Sequence, residues 1–322
     1  MLVGRPILRN SSGVTTALLT HAACLAHEVP PGHPESPARL KAVLRALDAP
    51  AFAALVREEA PRAAREAIAR VHPRALVDGL LSAVPASGFA AIDGDTSLSP
   101  GSGEAALRAA GALIRAVDLV MEGRARNAFC AVRPPGHHAE PGRPMGFCLF
   151  NNIAIGALHA RAAYGLKRIA VVDFDVHHGN GTQALFEIDR DLFFASTHQS
   201  PLYPGTGAAD EHGVADNILN VPLRPGAGSA AFRAAMSGVI LPALREFAPE
   251  FVFVSAGFDA HRADPLASLS FEEADFGWAT AEIARAAGEF CSGRLVSTLE
   301  GGYDLDALAL SAAAHVAALL AA

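Results

Sequence analysis

Five short apolar runs, at residues 128–132, 168–173, 192–197, 251–255 and 295–299, recur between longer Ala-rich stretches of helical period. That alternation restricts the fold more than any other feature of the chain. Each run is too short for a helix and is apolar on both faces, which is the pattern of a strand buried inside a parallel sheet. Parallel neighbours need crossover connections, and the segments between the runs supply them. Helices are expected over 37–47, 73–84, 103–121, 151–164, 229–247, 271–289 and 305–320. Ser36-Pro37 and Ser270-Phe271-Glu272-Glu273 read as helix starts, the second with a carboxylate three residues after the serine. The expected architecture is α/β: a single domain over 1–322, a mostly parallel central sheet with helices on both faces, three layers in all.

A chain of 322 residues, 51% of them hydrophobic, has enough apolar surface for one large core without disulfides or structural metals. Lys and Arg total 26 against 33 Asp and Glu, with no basic run, so no stripe exists to track a phosphate backbone and direct nucleic-acid binding is not expected. Cys24, Cys130, Cys148 and Cys291 are far apart in the chain, without C-x-x-C spacing, which suits a reducing cytoplasm. The apolar stretch near 17–19 is too short for a signal peptide. The Ala-rich stretch 304–322 contains two aspartates and His315, so it reads as a packed helix rather than a bilayer span, and no membrane partner is expected.

In open parallel sheets reactive groups gather beyond the carboxyl ends of the strands. After 168–172 come Asp173, Asp175, His177, His178 and Asn180. Read as a continuing strand, Asp173, Asp175 and His177 share a face, and a carboxylate with an imidazole at that end can hold a divalent cation. Helix capping is the plainer reading of the two aspartates. After 251–255 comes Asp259, a candidate third ligand; one imidazole and two carboxylates leave a coordination position open, as a catalytic site requires. After 128–132 a Pro134-Pro135-Gly136 turn presents His137 and His138, a candidate base and acid, with Asp173 and Asn180 available to orient their second nitrogens. After 295–299, Gly301 and Gly302 allow Tyr303 to turn inward as an oxyanion donor; a Gly-Gly-Tyr in isolation reads as a core tyrosine, but this one of three tyrosines stands at the carboxyl end of a strand.

Together these residues resemble the zinc-dependent histone deacetylases and their bacterial amidohydrolase relatives, which have an arginase-deacetylase fold. The matching segments are His33 to Leu40, Arg133 to His138, Gly146 to Asn152, Asp173 to Thr182, Tyr203 to Gly207, Ala256 to His261 and Leu299 to Tyr303, in family order. The pairing of Asn180 with His-Pro-Glu at 33–35 and Leu-Glu-Gly-Gly-Tyr at 299–303 looks like class II. The resemblance implies one zinc on Asp175, His177 and Asp259, with His137 and His138 as a catalytic pair oriented by Asp173 and Asn180, and Tyr303 beside the scissile carbonyl. It also implies a substrate channel of Gly146, Phe147, Tyr203 and Leu266. An inner potassium site would involve Asp173, Asp175, His177, Ser196 and Thr197. Tyr203 stands where many relatives have Phe. Leu266 stands where polyamine-selective relatives place an acid. Asp95 aligns loosely with a rim carboxylate and is otherwise a turn residue.

The implied activity is hydrolysis of an acetyl or other acyl group from an acylated amine such as N-acetyl-lysine, in a protein, peptide or small molecule. An acetylpolyamine or other small amide is the alternative. A dinuclear manganese ureohydrolase would need further aspartates where His178, Asn180 and His261 stand, and a non-catalytic acyl-lysine binder would not be expected to keep the whole set. The sequence leaves open which histidine is base and which acid, the physiological metal and the oligomeric state.

Overall fold

The computed structural model describes residues 15–322; the first fourteen residues of the expected 1–322 domain lie outside the described residues. In chain order the elements are β1 (Ala17–Thr20), α1 (Pro37–Leu47), β2 (Val56–Glu59), α2 (Arg65–Ile68), α3 (Arg74–Ser82), β3 (Ala90–Ala91), β4 (Ser97–Leu98), α4 (Ser102–Met121), β5 (Asn127–Cys130) and α5 (Asn152–Tyr164). They continue with β6 (Ile169–Asp173), α6 (Asn180–Phe186), β7 (Leu192–Gln199), β8 (Ile218–Leu223), α7 (Ser229–Ala235), α8 (Leu241–Phe247), β9 (Phe251–Ala256), α9 (Glu273–Cys291), β10 (Leu295–Leu299) and α10 (Leu305–Ala321). Eight strands form one sheet in the order β2-β1-β5-β10-β9-β6-β7-β8, and every neighbouring pair is parallel. Helices α1, α10 and α9 pack together, as do α4 and α5, and β5 is in contact with both α4 and α10. The sheet is therefore the middle of three layers, as the alternation of short and long segments predicts.

The five expected strands all form, and β5, β6, β9 and β10 are buried along their whole length. Three sheet strands carry too little signal to be read from sequence. Ala17–Thr20 is four residues long, yet it is a buried strand between β2 and β5. Val56–Glu59 is charged and largely exposed because it is an edge, and Ile218–Leu223 contains Pro222, tolerated at the opposite edge.

Two helix expectations need correction. The helix expected over 229–247 is interrupted by a π-helical turn at Met236–Ile240, just before Pro242. Proline has no N–H to donate to the preceding turn, and the widened turn absorbs that lost bond. The helix expected from 271 starts at Glu273, where Glu272 and Asp275 form the reciprocal capping box, rather than Ser270 with Glu273. The tail segment is a helix packed on the body, and no described helix is long and apolar enough to cross a membrane.

Burial holds several histidines neutral. It depresses His27, His72 and His198 to about 4, and His178 and His315 to about 3. His315 lies on the buried face of α10, with Nδ1 2.6 Å from Thr280 Oγ1 of α9 and Nε2 2.7 Å from Ser297 Oγ of β10. An unfolded histidine takes up its proton near pH 6.5, so the stability linked to a neutral buried ring is complete above that pH. It is lost as the pH falls toward the folded value. In urea unfolding across pH 4 to 6, His315→Leu is expected to flatten the acid-side slope by up to about 1.4 kcal/mol per pH unit relative to wild type. An unchanged slope would show that His315 is protonated in the native state.

Candidate active site

Strands β5, β10, β9 and β6 lie side by side at the centre of the sheet, so the loops leaving their carboxyl ends open along one edge. These loops carry the Arg133–His138 turn, Glu300 to Tyr303, Gly257 to Asp259, and Asp173 to Asn180. The sheet order brings together residues that are distant in the chain.

The spacing of Asp173, Asp175 and His177 does not come from strand alternation, because β6 ends at Asp173. Two successive side-chain bonds set it instead. Asp173 Oδ1 accepts the Asp175 N–H at 3.0 Å, and Asp175 Oδ1 accepts the His177 N–H at 2.8 Å. Neither aspartate caps α6, whose N-cap residue is Gly179. Asp259 lies three residues beyond β9 and is tied across by the Val176 N–H, which donates to its Oδ1 at 2.9 Å.

His177 Nδ1 is 3.1 Å from both Asp175 Oδ1 and Asp259 Oδ2, and one ligand atom from each residue falls within 4.8 Å of the others. All three are buried. Burial alone would keep His177 neutral, but its bonds to Asp175 and Asp259 hold its pKa up at about 10. Asp175 is held below the usual carboxylate range: burial opposes this, and the surrounding imidazoles, His137 first, outweigh it. Two buried carboxylates facing one imidazole nitrogen are an arrangement that a cation completes. Gly257 and Gly301 make room for it. A Cβ at Gly257 would lie 2.0 Å from Asp175 Oδ2, and one at Gly301 would lie 1.9 Å from Asp259 Oδ2. The donor set therefore fits one small divalent cation.

Beside this cluster the rings of His137 and His138 stand 4.0 Å apart, centroid to centroid. His137 Nδ1 is 2.9 Å from Asp173 Oδ2, and His138 Nδ1 is 2.8 Å from Asn180 Oδ1. The Asn180 amide N–H donates to Glu140 Oε1 at 2.8 Å, which fixes its oxygen as the acceptor for His138. His138 Nε2 is then left as the free acceptor. Different partners separate the two rings. Burial opposes charge on both, but Asp175 and Asp173 raise His137 to about 10, while His138, burdened further by its charged neighbour, falls well below the usual histidine value.

Two carboxylates that the motif reading did not single out support this machinery. Glu300 Oε2 accepts the Gly136 and His137 N–H groups at 2.7 and 3.2 Å, and Ser255 Oγ donates to its Oε1 at 3.1 Å. Burial raises its pKa to about 7. A glutamate directly after an apolar strand is a legible signal, here overshadowed by the glycines that follow it. Asp264 Oδ2 accepts the Tyr303 N–H at 2.7 Å, and nothing in its local sequence indicates this.

The Arg39 guanidinium lies 4.8 Å from the Tyr303 ring centroid and donates to the carbonyls of Glu300 and Gly302, both at 2.5 Å. Glu35 balances it at 2.9 Å and also binds Arg133 through both carboxylate oxygens, at 2.5 and 2.6 Å. All three side chains are fully buried, and against that burial the two arginines, Arg133 foremost, hold Glu35 at about 2.

A cleft of about 240 Å³ leads to this group and is lined by Asp95, His138, Gly146, Phe147, His177, Leu202, Tyr203, Leu266 and Tyr303. The four expected channel residues are thus all on its wall, and Asp95 joins them at the lining. Burial raises the Tyr303 phenol well above its ordinary pKa, so it stays protonated. Ser196 is directly opposite Asp173 in the β6–β7 register, and Thr197 follows it; the Thr197 hydroxyl is buried with no hydrogen-bond partner.

Residues 33–319 match the family described as the histone deacetylase domain. The chain is 42% identical to Histone deacetylase 14, chloroplastic, from Arabidopsis thaliana, over 98% of this chain and 79% of the relative. It is 41% identical to the Histone deacetylase-like amidohydrolase of Pseudomonas aeruginosa, over 84% of this chain and 73% of the relative. The crystal structure of the HDA15 HD domain superposes with a TM-score of 0.91 at 36% identity, covering 96% of this chain and 89% of that one.

Proposed function

The chain belongs to the histone deacetylase family, and from that premise we propose that it is a zinc-dependent hydrolase that removes acetyl or related acyl groups from acylated amines such as N-acetyl-lysine. The observation that carries this reading is the Asp175, His177 and Asp259 cluster at the base of a cleft that also receives His138 and Tyr303. A divalent cation held by those three side chains would supply Lewis-acid polarisation of the acyl carbonyl and acidify a nearby water.

The rest of the chemistry is assigned to the protein's own groups. His138 lines the cleft with a free Nε2, so it takes the proton of the attacking water and then delivers one to the departing amine nitrogen. His137, its Nδ1 bound to Asp173, is held in a fixed orientation beside His138 and helps to place the attacking water. The Tyr303 hydroxyl donates to the carbonyl oxygen as negative charge grows on it. The products are a carboxylate and a free amine.

Phe147, Leu202, Tyr203 and Leu266 make an apolar, partly aromatic wall suited to a linear alkyl chain. Leu266 offers no charge to a polyamine, which favours acyl-lysine over acetylpolyamine. The Asp173–Ser196 pairing and the unpartnered Thr197 hydroxyl support an inner monovalent-cation site as well. The four cysteines are all buried and free, which fits a reducing compartment such as the cytoplasm.

The test is acetate release by zinc-loaded protein from acetyl-lysine peptides, acetylpolyamines and longer acyl-lysines, with a hydroxamate as control. Acetyl-lysine peptides are expected to be hydrolysed, with turnover abolished by chelation and restored by zinc. Stoichiometric zinc binding with no acyl release from the panel would sink the reading in favour of a binding protein.

A further inference from the structure

His33 lies outside the cluster just described, yet both of its ring nitrogens are committed. Nδ1 accepts the Glu35 N–H at 3.1 Å, so Nε2 carries the proton and donates to the Asp95 carbonyl at 2.9 Å. The ring also meets the Phe147 ring edge-on, with centroids 4.7 Å apart and planes 73° to each other.

A second route joins Asp95 to Phe147. The Thr96 hydroxyl donates to Asp95 Oδ1 at 2.8 Å and accepts the Phe147 N–H at 3.1 Å. Asp93 Oδ1 accepts the Asp95 and Thr96 N–H groups at 3.0 and 2.7 Å, which closes the turn between β3 and β4. His33, Asp95, Thr96 and Phe147 therefore form a closed ring of contacts. Phe147 needs such support, because its φ of 68° lies in the left-handed region that a bulky side chain rarely adopts.

We infer that His33 is a positioning residue that locks the Asp95 carboxylate and the Phe147 wall into one rigid side of the cleft mouth, and so sets how tightly the chain of an acylated amine is gripped. The kinetic part of this inference rests on the cleft being the substrate channel; the tether itself does not. Two substitutions separate the bonds of the imidazole. Glutamine extends about as far as Nε2 and can still donate to the Asp95 carbonyl. Asparagine ends near the position of Nδ1, so it can accept the Glu35 N–H but cannot reach Asp95.

Amide hydrogen exchange tests the tether without turnover. In His33→Asn the Asp95, Thr96 and Phe147 amides should exchange roughly 3- to 10-fold faster, the loss expected for one hydrogen bond. Exchange in α4 should be unchanged, and His33→Gln, which keeps the donor to the Asp95 carbonyl but not the ring against Phe147, should restore protection at Asp95 and Thr96. No change at these amides, or acceleration throughout the chain, would overturn the tether. On an acetyl-lysine peptide, KM should rise roughly 3- to 10-fold in His33→Asn while kcat stays within about twofold, because only uniform binding is weakened. Recovery in His33→Gln would support the role, and a fall in kcat with KM unchanged would refute it. A wild-type protein that hydrolyses nothing would defeat the proposed activity, whereas the exchange result would still decide the role of His33.

Discussion

His177→Ala is expected to abolish stoichiometric binding of zinc and, with it, hydrolysis. The substitution removes one of three donors and leaves Asp175 and Asp259 facing each other with no imidazole between them, although His177 Nδ1 now stands 3.1 Å from each. Loss of an outer hydrogen-bond partner typically weakens metal affinity by about 10- to 100-fold, and loss of a direct donor should exceed that. Calorimetric titration of the chelator-treated protein reads the affinity directly, independent of any substrate. Because the buried aspartate pair would then need protons or an adventitious cation, the variant should also unfold at lower urea concentration as the pH is raised. A variant that keeps wild-type zinc affinity would remove His177 from the ligand set.

Tyr303→Phe should do the opposite, keeping zinc and losing rate. Only a hydroxyl is removed; the ring stays beneath the Arg39 guanidinium, and the main-chain bond from Tyr303 N–H to Asp264 is untouched. Loss of one donor to a developing oxyanion lowers kcat by about 10²- to 10³-fold, with little effect on KM. Zinc content and thermal unfolding should match wild type, which separates this outcome from a structural defect. Full turnover in the variant would leave the phenol no chemical part.

What could be read from the sequence follows from where the physics is local. The five buried strands announce themselves through unbroken apolar runs. Residues after each run are legible because a reactive side chain next to such a strand has no packing purpose. That Asp173 and Asn180 orient the histidine pair was also legible, from the need to fix each imidazole's second nitrogen, while the match of Asp173 to His137 and of Asn180 to His138 came from the family resemblance. The local geometry was not. Asp173, Asp175 and His177 are spaced by side-chain bonds to successive backbone N–H groups, which are blind to the strand periodicity used to place them. Short and edge strands also escaped, since four residues such as Val56–Glu59 have no core face to impose a pattern. Asp264 became visible as a support only once the loops were brought together, whereas Glu300, directly after β10, was legible but overshadowed by the glycines that follow it.

The salt-bridged triad of Glu35, Arg39 and Arg133 has a consequence for the order in which the fold is completed. Arg39 grips the carbonyls of residues 263 and 261 positions further along the chain. Both carbonyls follow β10, so the Arg39 guanidinium cannot be satisfied in this way until that strand has been made and has docked between β5 and β9. Contacts of such span tie the setting of the Glu300 to Tyr303 loop to the docking of β10, one of the latest steps the topology allows.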